Sequence, residues 1–279
     1  MAPLISVITV SYRRPEILLK KLNHLSTQSL DRAAFEVVLC LYEAEQVFEE
    51  RIRNLALPYH LTFLSFPKNK GAAWGRNACI AEARGRWLYL SDDDCLPEIN
   101  TLALHVGAQE MQRAIYIGAI DFDDGEGLEP WHPKKVYYWN TNGANTSLPR
   151  DEVLKVGGFD DKLSDYGGED ILLGYKLLKA GLSIYPLPEA KTRHLGPNPM
   201  RSHNLAKARS AGKNAVMISR HYPDIALPLG VHPLILALKR LYLLSPLRYI
   251  FAALDPKSYR YEKAYLEGAL EARQMLKES

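Results

Sequence analysis

W-L-Y-L-S-D-D-D-C-L-P, residues 87–97, is the stretch where an apolar run stops at three adjacent carboxylates and a proline closes the segment. Trp87–Leu90, bounded by Gly85 and the acids, reads as a buried strand. Continued in extended form, the path would put Asp92 and Asp94 on one side. Three anions at the end of a buried strand repel one another unless a cation or strong donors compensate. Mg²⁺ is usually held by one or two carboxylates together with substrate phosphates, so a metal–phosphate site is one reading. An acidic surface turn capping the next helix is the other, and the triplet alone does not separate them.

Upstream, Leu4–Val10 and Phe35–Leu41 are apolar runs rich in β-branched residues, as in strands buried on both faces, and Leu61–Ser65 predicts a third strand. Between them lie two helices. The first opens at Pro15 with Ile17, Leu18, Leu22 and Leu25 on its stripe, and the second spans Glu45–Asn54. Strands alternating with helices predict a mostly parallel, doubly wound α/β sheet. Ligands bind beyond the carboxyl ends of such strands, where Ser11, Tyr12, Glu43 and Asp92–Asp94 would gather. In P-K-N-K-G-A-A-W-G-R-N, residues 67–77, Gly71 allows close approach of backbone to a ligand and the alanines favour helix. Arg76 and Asn77 there suit contact with a nucleotide, an ion pair with the acidic triplet, or both.

Downstream, Thr101–Arg113 predicts a helix and Ile115–Ile120 a strand. Asp121–Lys135 is polar, broken by Gly and Pro, and predicts a lid-like loop; its Trp131 either stacks on a sugar or pins the loop to the core. A short helix is expected at Arg150–Val156. In Y-G-G-E-D-I-L-L-G-Y-K-L-L-K-A-G, residues 166–181, Glu169 and Asp170 open a helix whose core face would carry Ile171, Tyr175 and Leu178, ended by Gly181. Two acids there serve as dipole and cap stabilisers, about 0.3–1 kcal/mol each, or as a general base with a neighbouring acceptor-binding carboxylate. A last strand is expected at Ser183–Pro186, with His194 a chemically reasonable metal ligand beyond it.

The 279 residues, 47% hydrophobic and 24% charged, suffice for a full globular core. The net charge of +3 hides an asymmetry: residues 201–279 carry 13 Lys+Arg against 6 Asp+Glu, leaving 22 against 26 for residues 1–200. Three cysteines without CxxC spacing indicate neither a disulfide framework nor a zinc site, and fit a cytosolic compartment. The opening residues lack the basic region of a signal peptide. No apolar stretch reaches the roughly 18 residues of a spanning helix. From Ser202 the pattern turns helical, over Ser202–Arg220, Pro233–Leu254 with a kink or split at Pro246, and Tyr259–Lys277. The middle segment mixes aliphatic, aromatic and cationic residues. It suits a membrane interface, a homodimer partner or the sheet.

Taken together, the motifs resemble family 2 glycosyltransferases with the GT-A fold. S-V-I-T-V-S-Y-R-R-P looks like that family's opening strand and nucleotide-contacting turn, N-K-G-A-A-W-G-R-N its N-x-G-x-x-x-x-R-N helix, and D-D-D-C-L-P its D-x-D-x-x-P. G-A-N-T-S-L-P through Y-G-G-E-D is similar to the acceptor-side motif of the β-1,4-galactosyltransferase-like group. The resemblance covers about residues 4–196. It implies a GT-A domain over 1–200, with a nucleotide-sugar half of about 1–98 and an acceptor half of about 99–200, followed by a basic helical extension over 201–279. It further implies Val10, Ser11, Tyr12, Arg14, Glu43, Asn69, Gly71, Arg76, Asp92 and Asp93 around the nucleotide sugar. Asp94 and His194 would hold Mn²⁺ or Mg²⁺, Glu169, Trp131 and Asn145 would bind the acceptor, and Asp170 would be the catalytic base. One departure stands out: Leu41 and Tyr42 replace the acids expected at the end of the second strand, with Glu43 as substitute. The implied activity is inverting, metal-dependent sugar transfer from a UDP-sugar (TDP or GDP being the alternatives) to a saccharide, lipid-linked or small-molecule hydroxyl. No nucleic-acid partner is expected; the extension suggests peripheral membrane contact or a homodimer. The rivals are a sugar-binding module without activity, a retaining transferase and a nucleotidyltransferase.

Overall fold

A computed structural model describes residues 2–163, 167–198, 204–244, 246 and 248–278. The chain forms two compact units: Met1–Asp161 with Glu169–Gly196, and Lys162–Gly168 with Pro197–Ser279. The expected boundary after residue 200, the helix start at Ser202 and Tyr166 lie outside the described residues.

The first unit runs β1 (Ile5–Tyr12), α1 (Pro15–Leu25), β2 (Phe35–Tyr42), α2 (Gln46–Arg53), β3 (His60–Phe66), α3 (Ala72–Glu82), β4 (Trp87–Leu90), β5 (Cys95–Pro97) and α4 (Thr101–Met111). It continues with β6 (Ile115–Asp123), β7 (Leu128–Trp131), β8 (Thr146–Pro149), α5 (Arg150–Lys155), α6 (Glu169–Lys179) and β9 (Ile184–Leu195). The strands form one nine-stranded sheet in the order β3-β2-β1-β4-β8-β6-β9-β5, with β7 beside β6. The half built from β3, β2, β1 and β4 is parallel throughout. Beyond it, β8 runs antiparallel to β4 and β6, whereas β9 runs parallel to β6.

Strand periodicity sorts the core onto two faces. Val7, Val37 and Leu39 face one way, against Leu18, Leu22 and Leu25 of α1 and Leu102 and Val106 of α4. Ile8, Val38 and Cys40 face the other way, against Cys79 and Ile80 of α3 and Leu173 and Leu177 of α6. The apolar content of β1 and β2 therefore needs no alternation, because both faces are covered.

Several local expectations are corrected. Residues 121–135 do not form an open lid: β6 extends to Asp123 and β7 pairs back on it, Ile120 opposite Trp131. α6 buries Leu172, Leu173, Tyr175 and Leu177, while Leu178 is exposed and Ile171 only half-buried, a turn in phase set by what packs against the helix. The last strand continues past Pro186 to Leu195 through an irregularity, Gly118 pairing with Leu187 and the next residue, Ala119, with Lys191.

The second unit contains α7 (Leu205–His221), α8 (Pro233–Leu244), α9 (Arg248–Leu254) and α10 (Pro256–Glu278). Pro246 separates α8 from α9, as its missing N–H and ring require. α7 and α10 approach closely because Gly212 faces the Tyr265 carbonyl and Gly268 the Arg209 carbonyl, with no room for a Cβ at either. Ala215, Val216, Leu236, Leu243, Leu266 and Ala269 form this unit's own core. Leu234, Leu238 and Leu241 lie along one exposed face of α8. No described helix is long and apolar enough to cross a membrane.

Candidate active site

The carboxyl ends of β1, β2 and β3 collect the first group of expected residues. Glu43, just past β2, accepts a hydrogen bond from the Asn69 N–H at 3.3 Å and pairs with Arg13 Nη2 at 2.6 Å. Arg13 and Glu43 both hold left-handed backbone angles, φ 53° and 52°, unusual for residues with a Cβ. Tyr12 is exposed, its hydroxyl 3.4 Å from Glu43. Asn69 Oδ1 accepts the Gly71 N–H at 2.8 Å, and Gly71 (φ 90°) precedes α3. Val10 packs half-buried against the core. Tyr42, where the family resemblance expects an acid, is buried and donates to the Gly71 carbonyl at 3.0 Å. It braces the turn and leaves Glu43 as the carboxylate at this edge.

The acidic stretch does not continue β4 in extended form. The Asp92 carbonyl accepts the Cys95 N–H at 3.0 Å, and this turn sends the three carboxylates different ways. Asp93 is buried under Ser11 Oγ (2.6 Å) and Arg14 Nη1 (3.2 Å), and burial pushes its pKa up to about 6 despite those donors. Arg14 Nη1 also donates to Asp94 Oδ2 at 2.7 Å.

Asp94 Oδ1 lies 3.5 Å from His194 Nε2. The register that brings them together is the antiparallel pairing of Cys95 with His194 between β5 and β9. His194 Nδ1 lies 3.3 Å from the Gly196 carbonyl; a proton there leaves the Nε2 lone pair facing Asp94. Ligand atoms of Asp94, Cys95 and His194 lie within 4.8 Å of one another. Burial and the neighbouring carboxylates push the Cys95 thiol well above its ordinary range, so it stays a neutral thiol. One carboxylate and one imidazole on the same side, with the rest of the coordination sphere left to phosphate oxygens, fit a divalent cation such as Mn²⁺ or Mg²⁺.

Asp92 turns instead toward Arg76 of α3. Nη2 of that buried guanidinium meets Asp92 Oδ1 at 2.7 Å, while Nη1 reaches Glu169 Oε1 at 3.2 Å and Asp170 Oδ1 at 3.0 Å at the start of α6. Burial opposes the Asp92 charge, but Arg76 outweighs it and holds Asp92 below the usual carboxylate range. For Asp170 burial prevails over Arg76, Glu169 and Asp92 add repulsion, and its pKa rises to about 7. Glu169 Oε2 is buried with no partner among the described residues. Asn77, next to Arg76 on α3, turns to the Phe159 backbone. Its amide clamps Phe159, donating to the carbonyl and accepting the N–H at 2.9 Å each.

One acceptor-side expectation changes. Asn145 is fully buried, its Nδ2 donating to the Ala119 (2.7 Å) and Ala190 (2.9 Å) carbonyls and its Oδ1 accepting from Tyr89 (3.0 Å). It ties β6, β9 and β4 together and has nothing left for an acceptor. Trp131 packs half-buried against Ile120 and Phe122, so it pins the β6–β7 hairpin while part of its ring stays exposed.

Two contributors were missed. Lys21 is fully buried, and its Nζ donates to Ser91 Oγ (2.6 Å), the Asp92 carbonyl (2.8 Å) and the Cys95 carbonyl (2.9 Å). It fastens the carboxylate turn from below, and a lysine one turn after Leu18 and one before Leu25, on the apolar stripe of α1, was the available signal. Gly143 is the other: a Cβ there would collide with Arg76 Nη2 and lie 2.9 Å from Asp92 Oδ1.

The family model "Glycosyl transferase family 2" matches residues 6–163. An uncharacterized glycosyltransferase, YfnE, of Bacillus subtilis (strain 168) is 24% identical, the match taking in 64% of this chain and 61% of that one. Validoxylamine A glucosyltransferase of Streptomyces hygroscopicus subsp. jinggangensis (strain 5008) is 25% identical over 65% of this chain and 53% of its own. The match thus spans little more than half the length of these curated relatives. Among solved structures, the mannosyltransferase PcManGT from Pyrobaculum calidifontis, in complex with GDP-Man and Mn²⁺, superposes with a TM-score of 0.68 at 17% identity, over 97% of this chain and 88% of that one. S. aureus TarS 1–349 in complex with UDP-GlcNAc gives 0.60 at 17% identity, over 97% and 92%. At such identities the likeness establishes the GT-A type of fold.

Proposed function

The chain belongs to glycosyl transferase family 2, and from that premise we propose that it transfers a sugar from a nucleotide-diphospho-sugar to an acceptor hydroxyl with inversion, dependent on a divalent metal. The observation that carries the proposal is the single buried guanidinium of Arg76, which joins Asp92 of the carboxylate turn to Glu169 and Asp170 of α6. A donor-side and an acceptor-side carboxylate are thereby held on one framework.

On this reading residues 1–98 contribute the donor site and residues 99–200 the acceptor site. Val10, Ser11, Tyr12, Arg14, Glu43, Asn69 and Gly71 line the nucleotide side, Asp92 and Arg76 lie toward the ribose, and Asp93 anchors the loop. Asp94 and His194 would hold Mn²⁺ or Mg²⁺, which when bound neutralises charge growing on the diphosphate. Asp170 takes the proton of the acceptor hydroxyl, and Glu169, with its unpartnered Oε2, orients the acceptor. The new C–O bond forms on the face opposite the breaking bond, whose electron pair leaves with the diphosphate. A pKa near 7 suits that base. UDP is the first nucleotide to test, because Glu43 keeps a carboxylate at the end of β2. The exposed leucines of α8 support peripheral attachment of residues 201–279 to a membrane surface.

The test is release of nucleotide diphosphate from UDP-, GDP- and TDP-sugars with and without Mn²⁺. Metal-stimulated release from one donor is expected, and no release from any donor would reject the enzyme assignment. Anomeric NMR of the product reads the stereochemistry, and retention would remove Asp170 from the role of base.

A further inference from the structure

Within the second unit, a groove of about 1080 Å³ lies among α7, α8 and α10. Arg220, Arg240, Arg273 and Lys277 line it together with His232, and no Asp or Glu does. None of those four cations makes an ion pair or hydrogen bond among the described residues, although other cations of this unit do: Lys239 pairs with Glu262 at 2.7 Å, and Arg209 with Glu271. The remaining wall is apolar, with Val216, Leu270 and Leu276.

Helix ends account for part of this. Arg220 and Lys277 occupy the last turns of α7 and α10, where a cation complements the helix dipole. Arg240 and Arg273 have no such reason. Arg240 lies within α8 and Arg273 within α10, yet both line the same groove as the terminal pair. Four like charges lining one groove without a counter-charge make it electropositive, and an anion among them is favoured. The guanidinium fork matches phosphate oxygens in particular. The groove is roomy for a small ligand, at or just above the roughly 300–1,000 Å³ common for ligand sites, and its apolar wall accommodates a hydrocarbon or ring portion beside the charged head.

We propose that this groove binds a phosphate- or diphosphate-bearing ligand, by contacts from Arg220, Arg240, Arg273 and Lys277. The same chemistry is offered by a soluble phosphorylated compound and by the headgroup of an anionic lipid, and the experiment separates the two. Calorimetric titration of the full chain with inorganic pyrophosphate, in EDTA so that no divalent metal assists, is run beside flotation with vesicles of phosphatidylcholine alone or with phosphatidic acid. The double variant Arg240→Gln/Arg273→Gln leaves the Asp92–Asp94 turn unchanged, so any pyrophosphate bound there cancels in the comparison. Arg260→Gln, an exposed cation outside the groove, controls for general loss of charge.

Pyrophosphate affinity, or recovery with phosphatidic-acid vesicles, is expected to fall about tenfold or more in the double variant and to stay unchanged in Arg260→Gln. Response to pyrophosphate assigns a soluble ligand; response to vesicles alone assigns a headgroup. Binding of neither probe by the unmodified chain, or equal losses in the double variant and in Arg260→Gln, would overturn the proposal. Circular dichroism of the variants distinguishes a lost site from a lost fold.

Discussion

Arg76 Nη1 and Asp170 Oδ1 meet at 3.0 Å across 94 positions of sequence. A buried cation is thereby shared between the residue proposed as base and Asp92 in the carboxylate turn. Lysine carries one compact charge and cannot present two separated N–H groups in a fixed fork. Arg76→Lys is therefore expected to lower kcat/KM by about 10²-fold or more, the scale seen for small misplacements of reacting groups. Arg76→Gln should also lower stability by about 3–5 kcal/mol, since three carboxylates would lose their partner. Steady-state kinetics and urea unfolding check both.

The Asp170 pKa near 7 lies well above the ordinary aspartate range, so the folded state binds this proton more tightly than the unfolded chain. Its contribution to stability is full below about pH 4 and is lost as pH rises through about 7. Asp170→Asn should thus melt higher than the unmodified protein at pH 8, with a difference that shrinks toward pH 4. The variant should bind donor nearly as well while transfer falls by at least 10²-fold. A rise of kcat/KM with pH, centred near 7 and absent from the variant, is the kinetic counterpart.

Gly143→Ala forces a methyl group against Arg76 and Asp92, whereas Gly107→Ala in α4 meets nothing within 4 Å. The first should disrupt the ion-pair network and reduce activity sharply. The second should raise stability by about 0.5–1 kcal/mol through helix propensity and leave activity alone. Thermal melts and turnover of the two single variants separate the cases.

Asp94→Ala and His194→Ala are each expected to raise the Mn²⁺ concentration for half-maximal activity at least about tenfold. Cys95→Ser should not, because burial keeps its thiol neutral. A metal response that follows Cys95 would place sulfur in the ligand set.

Lys21→Met removes three hydrogen bonds from beneath the carboxylate turn, at about 0.5–1.5 kcal/mol each or more, because the lost donor is charged and buried. Donor KM should rise more than kcat falls if Lys21 positions the turn. Equal effects would mark a purely structural residue.

Much of this was legible in the sequence, and the failures have physical causes. Trp87–Leu90 and the strands before it were readable because burial on both faces leaves a continuous apolar run. The phase of α6 was not, since I-L-L-G-Y-K-L-L satisfies two helical stripes and only packing against Thr141 and Tyr138 selects one. The β6–β7 hairpin was hidden behind D-F-D-D-G-E-G, although Asp124-Gly125 between Phe122 and Leu128 is a hairpin signal. Asn145 and Lys21 exchanged expectations: a polar residue in a motif proved to be an internal tie, and a charge on an apolar stripe proved to support the site. Sequence gives residue type, and partners across 70 or more positions decide which role that type takes.

The irregularity between Leu187 and Lys191 in β9 has a bearing on how this domain tolerates length change. Side chains on a strand obey an odd–even rule, so removing one residue from 191–193 would invert His194 and swing its imidazole to the far side of the sheet. Ala190 is buried and its carbonyl is held by Asn145, whereas residues 188 and 189 lie outside the ladder and are free of that rule. Insertions and losses there can be absorbed as slack, which makes this short excursion the spacer that insulates His194 from changes upstream.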